Sequence, residues 1–144
     1  MQSFAATHIG CVRDENQDRV KVANYGEGVL AVVFDGMGGE RAGQEASRIA
    51  EEEFFAHFNK SYRDSMDPHA LRNLLISSVS AANTVIYTTA RMNYKNFGMG
   101  TTCVAAFVDE TCISVVNVGD SRAYYYANGN IKQITTDTKM NTIS

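Results

Sequence analysis

Hydrophobic and polar positions divide the chain into stretches of different period. Residues 4–9 alternate weakly and predict a first strand, residues 10–16 a polar loop, and residues 18–22 a short second strand. Residues 29–34 are a continuous apolar run with three valines, the pattern of a strand buried on both faces. The run stops at Asp35-Gly36-Met37-Gly38-Gly39, which is too rich in glycine to continue a regular element. From about Ala42 the period becomes helical. Ala46, Ile49, Ala50, Phe54 and Phe58 recur on one face, with Glu51, Glu52 and Glu53 mostly solvated. A second helix starts at Asp67 as N-cap with Pro68 as its first residue, and it should end near Arg91. Its expected buried stripe is Leu71, Leu75, Val79, Ala82 and Ile86.

Strand patterning returns after that helix. Residues 103–108 and 112–118 flank a tight turn at Asp109-Glu110. Residues 122–126 and 130–134 flank Asn128-Gly129, a hairpin signal because both residues tolerate positive φ. Strands, then two helices, then strands predict an α+β fold with an antiparallel sheet and helices packed on it. Alternating βαβ units are not indicated.

Composition narrows the function classes. The 144 residues suit one domain with a real core. Thirteen basic against sixteen acidic residues leave a net charge of −3, which offers no electrostatic reason to expect nucleic acid or an anionic membrane as partner. No apolar run approaches the roughly 20 residues of a membrane span. Met1-Gln2-Ser3-Phe4 lacks the charged and apolar regions of a signal peptide, so a cytoplasmic location is expected. Cys11, Cys103 and Cys112 form no Cys-x-x-Cys pair and no zinc cluster. Cys103 and Cys112 lie in apolar runs and are expected to be buried, inert thiols.

Three segments carry candidate chemistry. Asp35, at the end of an apolar strand, would be held rigidly at the mouth of a sheet, where an unpaired buried charge is costly and a divalent cation would compensate it. Gly36 would let its backbone carbonyl approach the same ion. The alternative is a strand-to-helix turn with Asp35 as a local cap. Asp18, in Arg13-Asp14-Glu15-Asn16-Gln17-Asp18, is spaced to stand beside Asp35 on an antiparallel neighbour, and two such carboxylates repel unless cations sit between them. Arg13 offers a fork suited to phosphate oxygens; an ordinary charged turn is the other reading. Asp120 follows a third apolar strand in Val118-Gly119-Asp120-Ser121-Arg122. There it would either join the site or fix the turn, with Arg122 pairing to it and Ser121 structural.

Together these segments resemble the type 2C, metal-dependent serine/threonine protein phosphatases, and most closely their bacterial branch. The resemblance rests on Arg13-x-x-Asn16-Gln17-Asp18 and on Asp35-Gly36-Met37-Gly38-Gly39 followed by Ala42-Gly43 and Ala46-Ser47. Gly100-Thr101-Thr102 and Gly119-Asp120-Ser121-Arg122 complete it. It implies an antiparallel β-sandwich with flanking helices, of which this chain would hold the part with two long helices. It implies that Asp35 bridges two Mn²⁺ or Mg²⁺ ions, that the Gly36 carbonyl binds one, and that Asp18 holds bound waters or contacts the cluster. Asp120 resembles the residue that helps to hold a weaker third ion, and Arg13 the residue that grips the substrate phosphate. The family often has glutamate where Gln17 stands, and Met37 replaces a histidine of eukaryotic relatives. The implied reaction is hydrolysis of phosphoserine or phosphothreonine by a water activated between two metals, without a phosphoenzyme. The implied partners are phosphorylated proteins and a cognate Ser/Thr kinase.

The family's later aspartates, in an Asp-Gly and an Asp-Asn motif, have no counterpart among these residues, and Thr138 stands in place of a common histidine. Residues 1–144 are therefore expected to be the N-terminal part of a longer catalytic domain. Such a half would expose an apolar sheet face, a surface for self-association. The alternatives are an inactive phosphatase-like binding or scaffold module, and a complete site assembled between chains.

Overall fold

A computed structural model describes residues 1–39 and 41–137; the Thr138 comparison falls outside them. Strands β1 (Asp18–Tyr25) and β2 (Gly28–Met37) form a hairpin, followed by helices α1 (Ala42–Ser61) and α2 (Pro68–Met92). A 3₁₀ turn at Tyr94–Asn96 leads into β3 (Gly100–Thr101), β4 (Cys103–Val108) and β5 (Ile113–Val118). The last hairpin is β6 (Tyr124–Ala127) with β7 (Asn130–Gln133). The main sheet has the order β1-β2-β4-β5, with β3 extending the pairing of β2, and every pairing is antiparallel. The expected α+β arrangement is therefore present.

Both helices lie on one face of this sheet. Alternation sends Leu30, Val32 and Phe34 of β2 and Cys103, Ala105 and Phe107 of β4 towards them, and the register sets Leu30 opposite Phe107 and Val32 opposite Ala105. Phe54 and Phe58 of α1 close over these residues with rings nearly parallel, and Tyr25 meets Phe58 edge-on. Leu71, Leu75, Ala82 and Ile86 of α2 complete the core. Among the described residues no helix is long and apolar enough to cross a membrane.

Four sequence expectations need correction. Residues 4–9 are not a strand: no edge among the described residues pairs with them. Phe4 is 90% exposed, so no burial offsets the entropy of ordering this segment. β2 is not buried on both faces. Leu30, Val32 and Phe34 are buried, but Val33, on the helix-free side, is 42% exposed. β2 also runs on through Asp35 and Gly36 to Met37, because β3 continues the ladder by pairing Gly36 with Thr101. Of the cysteines, Cys103 is buried and its thiol is pushed up to about 12 by that burial, whereas Cys112 is only half-buried.

The helix and hairpin signals act as anticipated. Asn128 and Gly129 both have positive φ, as their two-residue turn requires. The Asp67 carboxylate accepts the Ala70 N–H at 2.8 Å, satisfying one orphan donor of α2. Asp67→Ala should therefore cost about 1 kcal/mol in urea unfolding, and Asp67→Asn, which keeps the acceptor, almost nothing.

Candidate metal and phosphate site

The antiparallel register of β1 and β2 makes Asp18 and Asp35 direct partners. Because Phe34 faces the core, Asp35 emerges on the helix-free face, and Asp18 stands beside it there. The Asp35 carboxyl is raised above the ordinary carboxylate range. Burial is the largest cause; the charge of Asp18, a hydrogen bond with Asp18 and the charge of Asp120 follow, and Arg13 opposes them. The site has more negative charge than its own residues balance.

A cleft of about 790 Å³ opens at this point. Arg13, Asp14, Glu15, Asp35, Met37, Arg41 and Asp120 contribute to its walls, two guanidiniums against four carboxylates. A second hollow of about 270 Å³ adjoins it, lined in part by Asp18, and both share Arg13, Asp35 and Gly36. The structure thus gathers Arg13, Asp18, Asp35, Gly36 and Asp120, drawn from three separate segments, around these two adjoining hollows. Arg122 is not part of this group. Its guanidinium makes a two-pronged contact with Asp137, at 3.0 and 2.7 Å, instead of pairing with Asp120, and it holds the Asp137 carboxyl below its ordinary range.

The backbone of the glycine-rich turn is held from the segment entering β1. The Gly36 N–H donates to the Gln17 carbonyl at 3.1 Å, and the Gln17 side-chain amide donates to the Gly39 carbonyl at 2.9 Å. Glu15 accepts the Arg41 N–H at 3.2 Å, tying the start of α1 to the Arg13–Asp18 loop. Asn16 accepts the Asp18 N–H at 3.0 Å and donates to Thr7. The roles of Asn16, Glu15 and Thr102 were missed in the sequence. Thr102 accepts the Asp35 N–H at 3.1 Å through Oγ1, while its own N–H donates to the Asp35 carbonyl at 2.9 Å. The signal that would have found it is a hydroxyl residue placed directly before a buried apolar strand.

The donor set fits part of a divalent-cation site. A facing carboxylate pair whose Asp35 member is raised above its ordinary range calls for positive charge, and hard oxygen donors suit Mg²⁺ or Mn²⁺. Among the described residues no group of three His, Cys, Asp or Glu side chains is disposed to hold one ion.

The family model of protein phosphatase 2C matches residues 10–143, which include every candidate residue of the site. The chain belongs to the protein phosphatase 2C family. It is 33% identical over 138 residues to the serine/threonine phosphatase stp of Listeria welshimeri, covering 95% of this chain and 54% of the relative. With the serine/threonine protein phosphatase PstP of Mycobacterium tuberculosis it shares 34% identity over 133 residues, covering 92% of this chain and 24% of the relative. Among solved structures, Stp1 from Staphylococcus aureus is 37% identical with a TM-score of 0.81, covering 92% of this chain and 52% of that one. The catalytic domain of PstP in complex with two manganese ions is 32% identical with a TM-score of 0.76, covering 90% and 53%. The phosphatase 2C chain described here thus spans about half the length of the Listeria relative.

Proposed function

We propose that this chain is part of a metal-dependent phosphatase that hydrolyses phosphoserine or phosphothreonine in proteins. The observation that carries the reading is the Asp18–Asp35 pair, directly opposed in register and short of positive charge at the edge of a cleft that also holds Arg13. Asp18 and Asp35 would bind divalent cations, Mn²⁺ or Mg²⁺, with the Gly36 carbonyl as a further oxygen and Asp120 on the wall of the larger cleft. Two ions, or three with Asp120, would supply nucleophile activation and neutralise charge on the phosphoryl oxygens. The guanidinium of Arg13, at the junction of the two hollows, would grip the phosphate and orient its phosphorus towards the carboxylate pair. Gln17 holds the turn that aims the Gly36 carbonyl. Its amide stands where a glutamate would add charge, so Gln17 serves the backbone of the site and contributes no carboxylate.

We further read residues 1–144 as one part of a longer catalytic domain. The apolar helix-free face supports this reading, with Val33 and Ile113 more than 40% exposed. Another copy of the chain is a second candidate to cover that face. A cytoplasmic site of action, a role in signalling and a cognate Ser/Thr kinase belong to the same reading. A non-catalytic binding module on this fold is the second reading, favoured by the incomplete ligand group among the described residues.

One titration separates them. Calorimetry of the chain with Mn²⁺ should give a binding heat that Asp18→Asn and Asp35→Asn each diminish at least tenfold in affinity, since affinity follows ligand charge. Wild-type heat indistinguishable from either variant would sink the metal site and leave the binding module.

A further inference from the structure

Thr102 is almost wholly buried, yet its side-chain oxygen has two partners, one on β2 and one in the loop after β5. It accepts the Asp35 N–H at 3.1 Å, and it shares a hydrogen bond of 2.7 Å with the Ser121 hydroxyl, in which either oxygen can donate. The Thr102 N–H returns to the Asp35 carbonyl at 2.9 Å, so the Asp35 peptide is gripped on both sides. A third contact comes from its methyl group. Gly119 adopts φ +107° against it, and a Cβ placed on Gly119 would come within 2.7 Å of the Thr102 Cγ2. Gly119 and Ser121 flank Asp120. One buried side chain therefore touches both neighbours of Asp120 and the backbone of Asp35.

We infer that Thr102 and Ser121 form a positioning bridge that fixes the Asp120 loop relative to Asp35, setting the spacing on which cation binding in the cleft depends. The inference rests on the cation-site reading above. Asp35 lies on β2 and Asp120 follows β5, and β4 separates those strands, so no ladder hydrogen bond joins the two residues directly. Without the bridge, Asp35 would still sit on β2 and Asp120 in its loop, but their separation would drift. Preorganisation of metal ligands depends on supporting hydrogen bonds of this kind, and their loss commonly weakens binding without removing a ligand. Thr102 is thus a positioning residue acting through Asp35 and Asp120.

The test compares Mn²⁺ binding by calorimetry for wild type, Thr102→Val, Thr102→Ser and Ser121→Ala, with metal-free thermal unfolding of each. Thr102→Val keeps the shape and loses the oxygen, and it should weaken Mn²⁺ binding by about tenfold, the factor that one lost buried hydrogen bond is worth. Thr102→Ser keeps the oxygen and should bind as wild type does. Ser121→Ala removes only the far half of the bridge, leaves the core untouched and should weaken binding in the same direction, which keeps the inference testable if Thr102→Val fails to fold. A purely structural role would not show dependence on Asp120. In an Asp120→Asn background, Ser121→Ala should have no further effect on Mn²⁺ affinity, because the loop being positioned has lost its ligand. Unchanged affinity in Ser121→Ala and Thr102→Val, or full additivity with Asp120→Asn, overturns the bridge while leaving the metal site intact. Absence of Mn²⁺ binding by wild type overturns the metal site itself.

Discussion

On the proposed reading, Asp35→Ala should lower Mn²⁺-dependent phosphopeptide hydrolysis by a factor on the order of 10³. The same position should show the opposite effect on stability. The Asp35 carboxyl is raised by burial first and by Asp18 next. Its folded-state pKa lies above the unfolded value, so the folded chain holds the proton more tightly. The stabilising contribution of protonated Asp35 is complete below about pH 4, the ordinary carboxylate value, and it is lost as pH rises through the raised folded value. Above that raised value, and without metal, the Asp35 carboxylate is therefore a net strain on the fold. Asp35→Asn, which keeps the shape and removes the charge, should raise the metal-free melting temperature at pH 7 and leave it nearly unchanged at pH 3. Saturating Mn²⁺ should reverse the ranking by stabilising wild type alone. A variant that loses both activity and metal-free stability would indicate that Asp35 is a structural cap and not a ligand. This exchange of stability for function is common at sites where like charges are held together.

The parts of this molecule that could be read from its sequence share one property: a local cause. The α2 cap needs only Asp67 and Pro68, the last hairpin only Asn128-Gly129, and the buried face of α1 only its own period. The pairing of Asp18 with Asp35 was also legible, because a short hairpin leaves few registers and the two valine-rich strands must keep their apolar faces together. What could not be read depended on distant partners. Whether residues 29–34 are covered on one face or two is decided by where both helices pack, not by the run itself. Residues 4–9 show a strand-like alternation but have no edge to join among the described residues. Arg122 had an acidic neighbour two residues before it, and the fold gives it Asp137 instead, once β6 and β7 bring residue 137 back beside it. Thr102 was visible as part of a motif, but its function lies in touching Asp35 and Ser121, 67 and 19 residues away.

Gly36→Ala should be the most damaging glycine substitution in the turn, for a steric reason and not a conformational one. Gly36 lacks the positive φ of Gly38 and Gly39. A Cβ at position 36, however, would lie 2.1 Å from the Gly43 carbonyl oxygen and 2.8 Å from the Gln17 carbonyl oxygen. Both obstacles are backbone. One belongs to the first turn of α1 and the other to the segment entering β1, so neither can rotate aside as a side chain would. The methyl group must drive α1 away from the sheet or break the Gly36–Gln17 hydrogen bond. An overpacking cost of about 3 kcal/mol follows, roughly a 10 °C loss in melting temperature for a domain of this size. Gly39 provides the contrast. Its φ of +81° strains any side chain, but nothing lies within 4 Å of its Cβ position, so Gly39→Ala should cost only about 1–2 kcal/mol. Because Gly36 carries the carbonyl that flanks Asp35, its substitution should also weaken Mn²⁺ binding, whereas Gly39→Ala should leave that binding largely intact. Equal destabilisation by the two alanines would mean that α1 does not press on the turn, and that a flexible loop aims the Asp35–Gly36 peptide.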